Sequence, residues 1–169
     1  MALIELLKEK PLSRITVTKL CKKAEINRST YYKDPYEQLE NMKTEFFENI
    51  ILIVGECFLE NKQTHSSTIL KLIRYYKANK DLFIALNKYY GYAIYEEELF
   101  AVTQKSIILS LIERGIQLPE DKADYMLHFV IMGCDSIIYN WLSKDYEKYS
   151  EEQILDLLYT LSFSCLKQK

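Results

Sequence analysis

Glycine and proline are scarce in this chain, with four and three copies. That leaves few of the breakers that punctuate strand-and-turn proteins, and the apolar residues recur near every 3.6 positions almost throughout. No segment reads convincingly as a strand. Long apolar runs are missing as well: the longest candidate, Ile50 to Gly55, is far short of the roughly 20 residues a membrane span needs. The four cysteines, Cys21, Cys57, Cys134 and Cys165, lie far apart with no CxxC pair, each within an apolar helical pattern, as reduced cysteines do. No signal peptide is visible, so a cytoplasmic setting is expected. Histidine is limited to His65 and His128, which share no metal-type spacing with each other or with a cysteine. No glycine-rich phosphate loop or nucleophile motif occurs. An enzyme, a metal site and a cofactor are therefore not expected. His128, beside Phe129, reads as a satisfied core histidine, and Glu96-Glu97-Glu98 as a solvated turn of helix.

Half of the residues are hydrophobic (49%) and 27% are charged, the balance of an ordinary globular protein. The net charge of −2 hides an uneven distribution. Between positions 10 and 33 stand Lys10, Arg14, Lys19, Lys22, Lys23, Arg28 and Lys33 against Glu25 alone, a local +6 that leaves −8 for the rest. A basic head on an acidic body suits a nucleic-acid-binding module joined to an effector part, because phosphate attraction needs only local cation density.

Helix boundaries can be placed along the chain. A first helix through Leu3, Leu6 and Leu7 should stop at Lys10, ahead of Pro11. Thr16 looks like the N-cap of a second, with Val17, Leu20 and Ala24 as its buried stripe, and Asn27 can cap a third. The short link Ala24-Glu25-Ile26 makes these a helix-turn-helix, although a glycine in the turn is absent. Asp34-Pro35-Tyr36-Glu37 is a strong start for a long helix to about Glu60, with Asp at the N-cap and Pro at the first helical position. Asn61 to Ser67 reads as a loop. Further helices are expected from Ser67 to Lys77, around Lys80 to Leu86, from Tyr92 to Arg114 with Gly115 closing it, from Glu120 to Leu142 opened by Pro119, and from Ser150 to Cys165 behind a Ser150-Glu151-Glu152-Gln153 capping box.

The run Ile15-Thr16-Val17-Thr18-Lys19-Leu20-Cys21-Lys22-Lys23-Ala24-Glu25-Ile26-Asn27-Arg28-Ser29-Thr30-Tyr31-Tyr32 resembles the signature of TetR-family transcriptional regulators. It has the I-T-V opening, the alanine before the turn, an apolar residue within it and the N-R-x-T-Y-Y start of a recognition helix. Met132 to Leu142 resembles, more weakly, the penultimate helix of one branch of that family. The resemblance implies an all-α chain: a three-helix DNA-binding head with a helix-turn-helix over residues 1–45, and an antiparallel helical bundle over 46–169 that binds a ligand and dimerises. It implies double-stranded operator DNA as partner, palindromic because the protein is a homodimer, and repression relieved by a small-molecule effector. Arg28 and Ser29 would then face base edges, while Thr16, Thr30, Tyr32 and Lys33 contact phosphates and Asn27 caps the recognition helix. Tyr31 is expected in the head's core. Phe58, Tyr76, Tyr95, Leu99 and Phe129 are candidates for lining the effector pocket, and eight tyrosines between Tyr75 and Tyr139 supply aromatic walls. Gly133, Cys134 and Ser136 would permit close helix approach at the dimer interface.

The chain departs from the family pattern after Tyr32. Members continue the recognition helix with an x-His-Phe/Tyr step before a Lys-Asp/Glu pair, whereas here Lys33-Asp34 follows at once. Two explanations are open, a genuine deletion of most of a helical turn or three residues omitted from the sequence, and the good fit on both sides favours omission. A real deletion would point to a regulator that acts through a protein partner.

Overall fold

The computed structural model describes residues 2–31, 33–56, 65–113, 115, 117–145 and 148–166, and among these every regular element is helical. The order is α1 Ala2–Glu9, α2 Val17–Lys23, α3 Pro35–Glu56, α4 His65–Ala78, α5 Lys80–Tyr90, α6 Tyr92–Glu113, α7 Ala123–Asn140 and α8 Glu151–Leu166. Single 3-10 turns stand at Leu12–Arg14 and Arg28–Thr30, and a π turn at Trp141–Asp145 extends α7.

The start signals act locally and are found where the side chains put them. Thr16 Oγ1 accepts from the Lys19 amide at 3.3 Å to open α2. Asp34 Oδ1 accepts from the Tyr36 amide at 2.7 Å to open α3, with Pro35 next to it in the position where no backbone donor is lost. At α8 the capping box is complete: Ser150 Oγ accepts from the Gln153 amide at 3.3 Å and Gln153 Oε1 accepts from the Ser150 amide at 2.9 Å. Gly115 adopts a left-handed φ of +69° past the end of α6, a conformation that costs glycine little. Three expectations need correction. Pro119 does not open α7; residues 119–122 form turns, with the Lys122 amide on the Pro119 carbonyl at 3.0 Å, and the helix begins at Ala123. In α2 the buried pair is Leu20 and Cys21, while Ala24 is the exposed C-cap. The helix expected only to Leu86 continues to Tyr90.

The apolar stripes of all eight helices meet in one continuous core, from Leu3 and Leu20 through Leu39, Phe46 and Ile50 to Leu127, Ile138 and Leu158. α3 is the shared element. It packs against α4 and α6 and carries Leu39, Phe46 and Ile50 into the core, so a division at residue 45 falls inside one unbroken helix. Polar ties join the helices at the surface: Lys8 to Asp81 at 2.7 Å (α1 to α5), Lys43 to Glu98 at 2.9 Å (α3 to α6), and Arg74 and Lys77 to Glu151 (α4 to α8). An exposed pair such as Lys8–Asp81 contributes little once solvent screens it, and the continuous apolar core is the larger contribution to holding the bundle together. No described helix is long and apolar enough to cross a membrane.

Candidate nucleic-acid interface and effector core

The head presents its cations outward. Arg14, Lys19, Lys22, Lys23, Arg28 and Lys33 are all exposed, and Lys19 Nζ additionally donates to the Arg14 carbonyl at 3.1 Å. The turn after α2 closes through the Ile26 amide on the Cys21 carbonyl at 3.0 Å, and Glu25 takes a left-handed φ of +54°. That is the conformation a glycine would supply in such a turn, so the missing glycine is replaced by strain on Glu25 of about 1 kcal/mol. Ile26 is left exposed.

The recognition element differs from the expectation. Asn27 does cap it, accepting from the Ser29 amide at 3.2 Å, but what it caps is one 3-10 turn, Arg28–Thr30, instead of an α-helix. Tyr31 is already extended, at φ −112° and ψ 111°. Two constraints impose this. Pro35 disfavours helical geometry at Asp34, which confines any helix to 28–33, too short to recover its nucleation cost. Tyr31 is also drawn away: it lies half-buried against the core, as expected, and its hydroxyl donates to Gln38 Oε1 at 2.6 Å. Thr16, Asn27, Arg28, Ser29 and Lys33 are exposed together on the head. Tyr32 and the Thr30 side chain lie outside the described residues.

The body holds a feature that the sequence reading passed over. Asp135 of α7 is 2% exposed, and its Oδ1 accepts from the hydroxyls of Tyr76 (α4, 3.1 Å) and Tyr95 (α6, 3.2 Å). Its Oδ2 is buried with no hydrogen-bond partner. Burial pushes the carboxyl up to about 7, against the opposing pull of the two hydroxyl bonds. Burial likewise raises both tyrosines well above their ordinary value, so they remain donors. Around them lies a packed aromatic cluster centred on Phe83, with Tyr76, Tyr95 and Tyr139 at ring-centroid distances of 4.6, 5.9 and 5.6 Å. The signal was available in the sequence: Leu127, Ile131, Asp135, Ile138 and Leu142 fall at helical spacing on one stripe, and only one of them is charged.

Of the candidate pocket residues, Tyr76, Tyr95 and Leu99 come together in this buried core. Phe129 does not; it is 65% exposed, because its helical phase places it beside Tyr125 and away from the stripe of Asp135. Phe58 lies outside the described residues. A half-open groove of about 520 Å³ exists elsewhere, between α3 and the α4–α5 corner, walled by Met42, Phe46, Asn49, Tyr75 and Leu82. His128 is a surface residue and not a core one: it meets Glu96 at 2.7 Å and stacks obliquely on Phe100. With Glu98 bound to Lys43, two of the three consecutive glutamates tie helices together. Of the candidate interface residues, Gly133 and Ser136 share the helical phase of Tyr125 and Phe129, whereas Cys134 points the other way, its Sγ 3.2 Å from Ser162 Oγ of α8. Among the described residues no group of His, Cys, Asp and Glu could hold a metal ion.

A basic, capped turn-and-helix head continuous with an all-helical body defines the architecture of a one-chain transcription regulator. The family model described as the C-terminal region of a transcriptional regulator of the TetR type matches residues 63–164, and the chain belongs to the TetR family. No curated protein matches it.

Proposed function

We propose that the chain is a homodimeric, cytoplasmic repressor that grips palindromic double-stranded DNA through its head and is modulated by a small molecule bound in the body. The observation that carries this reading is the joint exposure of Arg28, Ser29, Lys33 and the α2 lysines around the turn that Asn27 caps. Phosphate contacts from Thr16, Thr30, Tyr32 and Lys33 would fix register, and Arg28 would read a guanine edge through paired bonds. Two-fold symmetry sets half-sites one helical turn or a multiple apart. Effector binding favours the DNA-incompetent arrangement of the two heads, and release is a population shift. No cofactor or catalytic step is needed.

Gel shifts on duplex fragments from the chain's own upstream region test the reading. Arg28→Ala is expected to lower operator affinity about tenfold, a loss of about 1–2 kcal/mol, and to relax specificity at one base pair. An equal loss on operator and random duplex would remove its base-reading role. Lys33→Ala should weaken both kinds of DNA alike and flatten the plot of log affinity against log salt by about one; an unchanged slope would take Lys33 out of the phosphate contacts.

The single 3-10 turn at Arg28–Thr30 favours a second reading, a TetR-like regulator that acts through a protein partner, since so short an element reaches few base edges. Absence of a shift on every fragment would select it.

A further inference from the structure

Asp135 of α7 sits within the aromatic core of the body. The residue is 2% exposed, one of its carboxylate oxygens has no partner, and among the described residues no lysine, arginine or histidine contributes to its environment. A buried carboxylate without a counter-ion is unfavourable. The groups facing it are the Tyr76 hydroxyl from α4 and the Tyr95 hydroxyl from α6, both donating to the other oxygen, with the rings of Phe83 and Tyr139 behind them. Aromatic faces are negative and attract cations, most strongly where water is excluded.

We infer that Asp135 and the rings of Tyr76, Phe83, Tyr95 and Tyr139 form the recognition site for an organic cation, a small ammonium compound carrying apolar substituents. The inference rests on the reading of the body as the effector-binding part and names the chemical class of that effector. A metal ion fits poorly: hard divalent cations take six or more oxygens, and here one carboxylate and two phenols are gathered. An anion would meet a carboxylate with no positive group beside it. An ammonium supplies the missing partner of Oδ2, and its alkyl or aryl groups replace ring-to-ring contacts. The rings are closed over Asp135, with Tyr76, Phe83 and Tyr95 at most 4% exposed, so entry requires side-chain displacement, a minor conformation made dominant by the ligand. Ionised Asp135 is the binding form. With its carboxyl at about 7 and both tyrosines protonated, affinity falls on acidification.

The test uses calorimetric titration of the full chain at pH 8 with phenyltrimethylammonium and with its neutral isostere tert-butylbenzene. One cation per chain should bind at least tenfold more tightly than the neutral compound, and about tenfold more weakly at pH 6 than at pH 8. Asp135→Asn should lose at least tenfold in cation affinity while keeping its helical circular dichroism, and Phe83→Leu, which keeps the carboxylate, should lose severalfold. Failure of the cation to bind, equal affinity for both compounds, or cation affinity unchanged in Asp135→Asn overturns the inference. Gel shifts run on the same samples separate the two readings. DNA binding without cation binding removes this inference alone, and cation binding without DNA binding removes direct DNA recognition alone.

Discussion

At pH 8 the Asp135→Asn protein is expected to melt about 6 °C above the parent, and at pH 4.5 below it. The carboxyl titrates at about 7 in the folded chain against an ordinary 3.8, because burial disfavours its charge more than two tyrosine hydroxyls favour it. Between about pH 4 and pH 7 the folded chain keeps a proton that the unfolded chain has released, so stability falls as pH rises through that window. The fall is at most about 4 kcal/mol, at about 1.4 kcal/mol per unit, and is complete above the folded value. Asparagine removes this loss. Its amide oxygen accepts from Tyr76 and Tyr95, but its NH2 inherits the unpartnered place of Oδ2 at a cost of about 1–3 kcal/mol. The balance at pH 8 is a gain of about 2 kcal/mol, or about 6 °C for a chain of this length. Below pH 5 the parent carboxyl is neutral and only the asparagine cost remains, so the order inverts. Thermal melts of both proteins from pH 4.5 to 8 check this, and curves that never cross would show that Asp135 carries no abnormal charge burden.

Asp135 also shows where the sequence is readable. Helix starts at Thr16, Asp34 and Ser150 were legible because each depends on a side chain reaching an amide two or three residues away. Tyr76, Tyr95 and Leu99 were named as pocket walls through the family resemblance and lie in the buried core; apolar periodicity reports burial but does not separate a packed core from a pocket wall. The recognition turn was not legible. Family spacing suggested a helix after Asn27, while the outcome was set by Pro35 downstream and by the pull of Gln38 and the core on Tyr31. Phe129 was placed in the pocket through the family resemblance and His128 in the core for its apolar neighbour, although helical phase sets both apart from the Leu127 and Ile131 stripe. Asp135 was readable on that same stripe once a charge was sought among its apolar members.

The outward face of α7 carries the second large prediction: replacing Tyr125 and Phe129 together by serine is expected to convert a dimer to monomers at micromolar concentration. The two rings are 80% and 65% exposed, one helical turn apart, with Gly133 and Ser136 continuing their line. On α8, Leu157 and Leu161 are exposed at the same spacing. Apolar residues so grouped are the surface that the proposed homodimer would cover. By two-fold symmetry each substitution removes two rings, so four aromatic anchors are lost per dimer. At about 1 kcal/mol each, a modest figure for interface aromatics, the dissociation constant rises on the order of a thousandfold. Gly133→Leu gives an independent check. A Cβ added there meets nothing within 4 Å inside one chain, so a larger side chain can be grown at this point, and it would keep two α7 helices apart. Sedimentation equilibrium reads both variants, and a parent monomeric at tens of micromolar, or a double variant still dimeric at one micromolar, would exclude this face. Asp135 lies on another face of the same helix, so the monomeric variant should retain its cation site while losing affinity for a two-half-site duplex far more than for a single half-site. That pattern would place dimerisation and ligand recognition on separate faces of α7, joined only through the orientation of one helix.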